Sequence, residues 1–220
     1  SICDIEFLNN NTGYAVAGFG EGDILKTTDA GNTWVSQVSS YTLPMYGIAF
    51  TGAETGYLAG SINIKKTTNG GTNWIDVYSS TQNEIFGDIF FTNINTGYAV
   101  GSYGKLLKTT NAGANWSASA IPNAGTFINS IYFVNDNTGY AVGADNKAVK
   151  TTDTGANWSV MNIASGFTSL NNVFFSDANV GYVAAGAGIF KTTDGGSVWF
   201  QLGTPAGGYN NVQFRGNFGY

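Results

Sequence analysis

The chain has 220 residues, a formal charge of −5, eight lysines, one arginine (Arg215), no histidine and one cysteine, Cys3. No basic stripe exists to neutralise a phosphate backbone, which excludes nucleic acid as a partner. The missing histidine removes Ser-His-Asp and Cys-His nucleophiles and the usual zinc or copper ligand sets, and a lone cysteine forms no intrachain disulfide.

High glycine (31 residues), low proline (3), 15% aromatics and 10% charged residues suit many short strands joined by tight turns. The longest apolar stretch, Tyr182 to Phe190, is too short to span a bilayer.

In chain order, the first element is the alternating run Ile5-Glu6-Phe7, a strand by its period of two. A polar turn ends at Gly13-Tyr14, and a small apolar strand, Ala15-Val16-Ala17, follows. A third strand, Ile24-Leu25, runs into Lys26-Thr27-Thr28, and a turn at Asp29 leads to Trp34, which opens the fourth.

This sequence of elements then recurs. The later first strands are Ile48-Ala49-Phe50, Ile89-Phe90-Phe91, Ile131-Tyr132-Phe133 and Val173-Phe174-Phe175, with the start of a sixth at Val212-Gln213-Phe214. Their turns end in Gly56-Tyr57, Gly97-Tyr98, Gly139-Tyr140, Gly181-Tyr182 and Gly219-Tyr220.

All five tryptophans close one nine-residue frame: Lys26–Trp34, Lys66–Trp74, Lys108–Trp116, Lys150–Trp158 and Lys191–Trp199. The tryptophan spacings of 40, 42, 42 and 41 define a repeat architecture. Four antiparallel strands per repeat is one β-propeller blade, so the fold expected is all-β, with five complete blades and the start of a sixth in a single domain.

Within the frame, Asp29, Asn69, Asn111, Asp153 and Asp194 are expected to accept backbone hydrogen bonds and turn the chain. Glycine at the fifth or sixth position tolerates positive φ. Trp34, Trp74, Trp116, Trp158 and Trp199 are expected to plug the space under each turn. A metal site in these turns is disfavoured, because Asn69 and Asn111 keep the acceptor but lose the charge a hard cation wants.

The frame (Ser/Thr)-x-Asp-x-Gly-x-(Thr/Asn)-Trp resembles the Asp-box, or BNR repeat. Thr27, Asp29, Gly31, Thr33 and Trp34 fit it fully, whereas Val198 breaks its seventh position in the last copy. The whole unit looks like those of photosystem II stability/assembly factor-like propellers, and similar units fill many secreted bacterial surface proteins. That resemblance implies a propeller fold and leaves three activities to weigh. Sialidases hold a substrate carboxylate with three arginines, and this sequence has only Arg215. The arginine-rich patch implied for photosystem assembly factors is missing too, which leaves protein binding open. Xyloglucanase-type glycoside hydrolases use two carboxylates.

The candidate carboxylates are Asp4 and Asp88, each one residue before its strand isoleucine, with Glu84 nearby. A glycosidase needs such a pair about 5–10 Å apart. The preferred reading is that they are solvated residues near strand starts. Lys26, Lys66, Lys108, Lys150 and Lys191 form an in-register set, and are preferred as solvated strand ends over a ring that attracts anions. The least regular segments, between blades, carry Tyr46, Phe86, Phe127, Phe167 and Tyr209. These are the candidate binding residues of one rim, against the alternative that they pack between blades.

The function expected is a non-catalytic, extracytoplasmic bacterial scaffold that binds a protein or glycan, without cofactor or metal. A glycoside hydrolase-type fragment is the alternative. Because the sixth unit stops after its first strand and turn, the chain reads as an excerpt of a longer protein. Its open end, carrying Phe214 and Phe218, is expected to be covered by further blades or another copy.

Overall fold

The computed structural model describes residues 2–18, 22–41, 43–122, 125–163, 169–204, 207–215 and 218–219. Phe167 lies outside them.

The described residues form five four-stranded antiparallel sheets, and no helix occurs among them. These are the blades of a β-propeller. The first blade comprises β1 (Ile2–Phe7), β2 (Gly13–Ala17), β3 (Gly22–Thr27) and β4 (Val35–Tyr41). The second comprises β5 (Met45–Phe50), β6 (Gly56–Gly60), β7 (Asn63–Thr67) and β8 (Ile75–Ser79). The third comprises β9 (Phe86–Phe91), β10 (Gly97–Gly101), β11 (Lys105–Thr109) and β12 (Ser117–Ala120). The fourth comprises β13 (Ile128–Phe133), β14 (Gly139–Gly143), β15 (Lys147–Thr151) and β16 (Ser159–Met161). The fifth comprises β17 (Leu170–Phe175), β18 (Gly181–Ala185), β19 (Gly188–Thr192) and β20 (Phe200–Gln201). A short hairpin, β21 (Phe214–Arg215) with β22 (Phe218–Gly219), follows.

Each blade is a meander in sequence order, and its fourth strand starts one residue after the tryptophan rather than on it. The chain divides into two compact units. One holds residues 1–99 and 107–118, the other 100–106 and 119–220.

The register explains the Gly-Tyr signature. Phe50 pairs across the strands with Gly56, and a Cβ there would lie 2.7 Å from ring carbons of Phe50. Phe133 over Gly139 and Phe175 over Gly181 repeat this, at 2.6 and 2.5 Å. The glycine is therefore the floor on which the first-strand phenylalanine lies.

The following tyrosine points to the next blade. Tyr14 stacks on Phe50 with ring centroids 4.3 Å apart, Tyr57 on Phe91 at 4.1 Å and Tyr140 on Phe175 at 3.8 Å. Each of those phenylalanines meets its own blade's tryptophan edge-on, 6.1 or 6.2 Å away. Within each unit, blade-to-blade cohesion thus rests on stacked and T-shaped rings, geometries that aromatic quadrupoles favour.

Candidate functional site

The antiparallel order puts the first hairpin and the Asp-box turn at one end of every blade. The two are stitched together: the N–H of Ala30 donates to the carbonyl of Asn11, Gly70 to Glu54, Ala112 to Asn95, Thr154 to Asn137 and Gly195 to Asn179. The second hairpin and the connection to the next blade share the other end.

At the first end, Asp29 Oδ1 accepts from the Thr27 hydroxyl and the Thr33 N–H, both at 2.8 Å, and Oδ2 accepts from the Thr33 hydroxyl. Those bonds, led by the Thr33 hydroxyl, hold the Asp29 carboxyl down at about 2. Asn69 Oδ1 takes the Thr67 hydroxyl at 3.0 Å and the Asn73 N–H at 2.9 Å, and Asn111 and Asp153 make the same pair of bonds. Asp194 accepts from Thr192, Ser197 and Val198. The side chain at this position is consumed by its own turn. Both the fifth and sixth frame positions take positive φ, including Ala30, Ala112 and Thr154 at the fifth.

The tryptophans sit beneath these turns. Trp34, Trp74, Trp116 and Trp158 are half-buried and Trp199 is buried. The indoles of Trp158 and Trp199 donate to the carbonyls of Gly155 and Gly196.

Three of the frame lysines, Lys26, Lys66 and Lys150, are not the solvated strand ends preferred from sequence. Lys26 Nζ donates to the carbonyl of Gly70 in the second blade, Lys66 Nζ to Ala112 in the third, and Lys150 Nζ to Gly195 in the fifth, at 3.1, 2.7 and 2.7 Å. The same three carbonyls accept the hydroxyls of Tyr14, Tyr57 and Tyr140 at 2.8–3.0 Å. Each ammonium also lies over its tyrosine ring, 5.1–5.4 Å from the centroid, a cation–π arrangement. Burial pushes the phenols of Tyr57 and Tyr140 up to about 12, so their hydroxyls keep the proton they donate. Sequence reasoning took the tyrosines as turn markers and missed this latch. The available signal was that tyrosine and lysine recur in register together.

An open cavity of about 450 Å³ lies beside one latch, lined by Thr51–Thr55, Lys66, Ile94, Asn95 and Ala112. Its ammonium is already engaged by Ala112.

The candidate carboxylates are engaged as well. Asp4 is half-buried on β1 and accepts from its own blade's Ile5 N–H at 2.8 Å and from Ile48 N–H on β5 at 2.9 Å. Glu6, two residues on, accepts from Phe50 N–H at 2.8 Å. Desolvation raises both carboxyls, Asp4 to about 6 and Glu6 to about 8. On the second blade the Asp4 position is Gly47, where a Cβ would meet the Asp88 backbone at 3.0 Å. Ser130 and Asn172 occupy it on the fourth and fifth, and accept from Val173 N–H and Val212 N–H. The position bridges neighbouring first strands, so Asp4 is no solvated strand start either. Asp88 accepts from Ile89 N–H at 2.7 Å, and buried Glu84 accepts from the Ser80 hydroxyl. Among the described residues no cluster of three or more His, Cys, Asp or Glu is arranged to hold a metal ion.

At the opposite end, the aromatic candidates separate. Phe86 leaves the rim: it is fully buried and packs edge-on against Tyr78, 5.7 Å away, in the core of its unit. The reason is register, since Phe86 opens β9 as Met45 opens β5, and both point inward. Tyr46 is one residue further along its strand and half-exposed beside Gly18. Phe127 is half-buried, paired with Ser102. Tyr209 is half-buried against Tyr182, Ala184 and Val212.

Beside Phe127 stands a residue the sequence did not single out. Tyr103 is 81% exposed with φ of 56° in the tight turn of the third blade. Its N–H donates to the carbonyl of Thr126 at 2.8 Å, and the Thr126 N–H and hydroxyl both donate to Asp145 Oδ2 at 3.1 Å. Tyr103, Thr126, Phe127 and Asp145 thus form one braced aromatic and polar surface in the second unit.

Comparison with known proteins agrees with this architecture. Residues 72–165 match the family described as Photosynthesis system II assembly factor YCF48. No curated protein sequence matches. A structure of YCF48 bound to D1 peptide aligns over 97% of this chain and 86% of that one, with 17% identity and a TM-score of 0.57. YCF48 from Cyanidioschyzon merolae aligns over 99% and 91%, with 17% identity and a TM-score of 0.65. The GH74 xyloglucanase from Xanthomonas campestris aligns over 91% of this chain but 38% of its own length, with 12% identity and a TM-score of 0.73. At these identities the solved structures speak for the fold. The chain is an Asp-box repeat β-propeller that resembles the YCF48 family.

Proposed function

We propose that this propeller is a non-catalytic binding scaffold, and that it engages a protein segment through the surface of Tyr103, Thr126, Phe127 and Asp145. The observation that carries this reading is Tyr103, a large aromatic ring held out at 81% exposure on a turn tied to the neighbouring loop. Exposed rings on braced loops lose little entropy on binding, and aromatics anchor protein interfaces. A similar fold is seen bound to a peptide in the YCF48 structure.

Asp4 has a backbone partner on the next strand and Asp88 one on its own, which supports structural roles over a glycosidase pair. A glycan stands as the second ligand class, favoured by the same exposed rings. An extracytoplasmic location belongs to this proposal and rests on the resemblance of the repeat to those of secreted bacterial surface proteins.

The test is selection of displayed random peptides against the chain and against a Tyr103→Ala/Phe127→Ala variant. Peptides enriched on the first and lost on the second are the expected result. Glycan binding without peptide binding, or release of sugars from xyloglucan, would overturn it.

A further inference from the structure

We propose that the first hairpin of the second blade holds a carboxylate supplied from outside the chain, in the place of a side chain that the other hairpins carry. The signal is a comparison of the five first hairpins. In the first blade, Asn9 Oδ1 accepts from the N–H groups of Asn11 and Thr12 at 2.9 and 2.8 Å. Asn93 takes those of Asn95 and Thr96 at 3.0 and 2.9 Å, and Asn135 those of Asn137 and Thr138 at 2.9 and 2.8 Å. In the fifth blade a carboxylate does this, with Asp177 Oδ1 accepting from Asn179 and Val180 N–H at 2.8 and 2.9 Å. Those two bonds hold the Asp177 carboxyl below its ordinary range.

In the second blade the corresponding residue is Gly52, which has no side chain to give. The backbone nevertheless keeps the common form. Thr51 N–H donates to the Thr55 carbonyl at 3.0 Å, as Leu8 does to Thr12 at 2.9 Å. Gly70 N–H reaches the Glu54 carbonyl as Ala30 N–H reaches Asn11. The N–H groups of Glu54 and Thr55 therefore stand where the other hairpins present their donor pair. Among the described residues neither has an acceptor. Two successive backbone N–H groups that converge on one oxygen are a ready seat for an anion.

The surroundings of the pair suit a carboxylate. Gly52, Glu54 and Thr55 line the open cavity of about 450 Å³, and a Cβ on Gly52 would meet nothing within 4 Å. Lys66 lines it too. Its ammonium spends one donor on the Ala112 carbonyl and makes no other hydrogen bond among the described residues, so it keeps donors and charge for an anion. The opposing charge is the carboxylate of Glu54 itself. Its Oε2 leans to Gly70, 3.5 Å from where a Cβ would stand, and Lys26 Nζ lies 3.6 Å from the same point and offsets it. Ile94, 65% exposed, gives the cavity an apolar wall for the carbon skeleton that bears the acid. All these residues belong to the first unit, whereas the Tyr103 surface belongs to the second, so this is an additional site.

The experiment follows the backbone amide resonances of Glu54 and Thr55 in the isotope-labelled 220-residue chain while sodium acetate is added at constant ionic strength. Saturable shifts of these two amides are expected, with acetamide, the neutral analogue, binding about tenfold more weakly or worse. Gly52→Asn supplies the missing oxygen from within the chain and should abolish the shifts. It should melt no lower than the parent, because Gly52 is exposed and the restored cap is the one Asn9, Asn93 and Asn135 make. Gly52→Ala adds a methyl group without an acceptor and should keep the shifts. N-acetyl-aspartic acid amide and N-acetylalanine then separate a side-chain acid from a chain end, and the tighter binder names the source. No saturable shift with acetate, equal binding of acetamide, or acetate binding that survives Gly52→Asn would each overturn the proposal.

Discussion

The Tyr140 hydroxyl and the Gly195 carbonyl, 55 positions apart, are 3.0 Å from each other, and the Lys150 ammonium shares that carbonyl at 2.7 Å. One backbone oxygen of the fifth blade therefore collects both polar tips of the fourth. The tyrosine ring beneath is fully buried and stacked on Phe175. Two donors on one acceptor make the latch redundant in hydrogen bonding but not in packing.

Tyr140→Phe should accordingly cost only about 1 kcal/mol, because Lys150 still satisfies the carbonyl. Tyr140→Ala should cost roughly 3–5 kcal/mol through the cavity beside Phe175. In a double-mutant cycle, Tyr140→Phe with Lys150→Met should lose more than the sum of the singles, since only the pair strands the carbonyl. Chemical denaturation of the four proteins measures this, and strict additivity would show that the two donors act independently.

In the Asp-box turn, Asp29→Asn should lower the melting temperature at neutral pH by only a fraction of the loss that Trp34→Ala causes. Asn69 and Asn111 already make the equivalent bonds with an amide oxygen. Trp34→Ala should cost roughly 3–5 kcal/mol, because it removes the ring that Phe7 meets edge-on at 6.0 Å. Comparable losses for the two substitutions would mean that the charge, not the acceptor, holds the turn.

The strands and turns were legible because each depends on neighbours in sequence: Thr27, Asp29, Gly31 and Thr33 close their turn within seven residues. The latch was not, because Tyr14 and Gly70 belong to different blades and nothing local announces their meeting. The aromatic rim was half legible. Its rings were assigned by position before each first strand, but a shift of one residue reverses the face. That shift puts Phe86 in the core where Tyr46 is half-exposed. Tyr103 escaped notice because the rings were sought before each first strand, not in the turn between the second and third, where only Phe19 of the first repeat matches it in sequence.

The pH dependence follows from Asp4 and Glu6. Folding raises Glu6 from 4.5 to about 8 and Asp4 from 3.8 to about 6, so the native state holds more protons than the unfolded chain in those windows. Stability then falls as pH rises from about 4 to 8, and is fullest where both are neutral. Asp29 and Asp153, held down at about 2, work oppositely, and lose their contribution only as pH falls from near 4 toward 2. Calorimetric melting between about pH 4 and 9 should show the decline, and Glu6→Gln, which keeps an acceptor for Phe50 N–H, should remove most of it above about pH 6. An unchanged slope in that variant would place the titration elsewhere.

Gly56 and Gly52 make the final comparison, on either side of one hairpin. Neither has the positive φ that only glycine readily adopts, so a methyl group tests space alone. At Gly56 the new Cβ would lie 2.7 Å from two ring carbons of Phe50, which is fixed between Tyr14 and Trp74. The ring cannot retreat without breaking its stack, so Gly56→Ala should cost about 1–3 kcal/mol as overpacking. At Gly52 nothing lies within 4 Å, and an added methyl mainly restricts the unfolded chain. Gly52→Ala should be neutral or stabilising by up to about 1 kcal/mol. Urea midpoints of the two variants measure the difference, and equal midpoints would show that Phe50 moves freely and that Gly56 is there for a reason other than its ring.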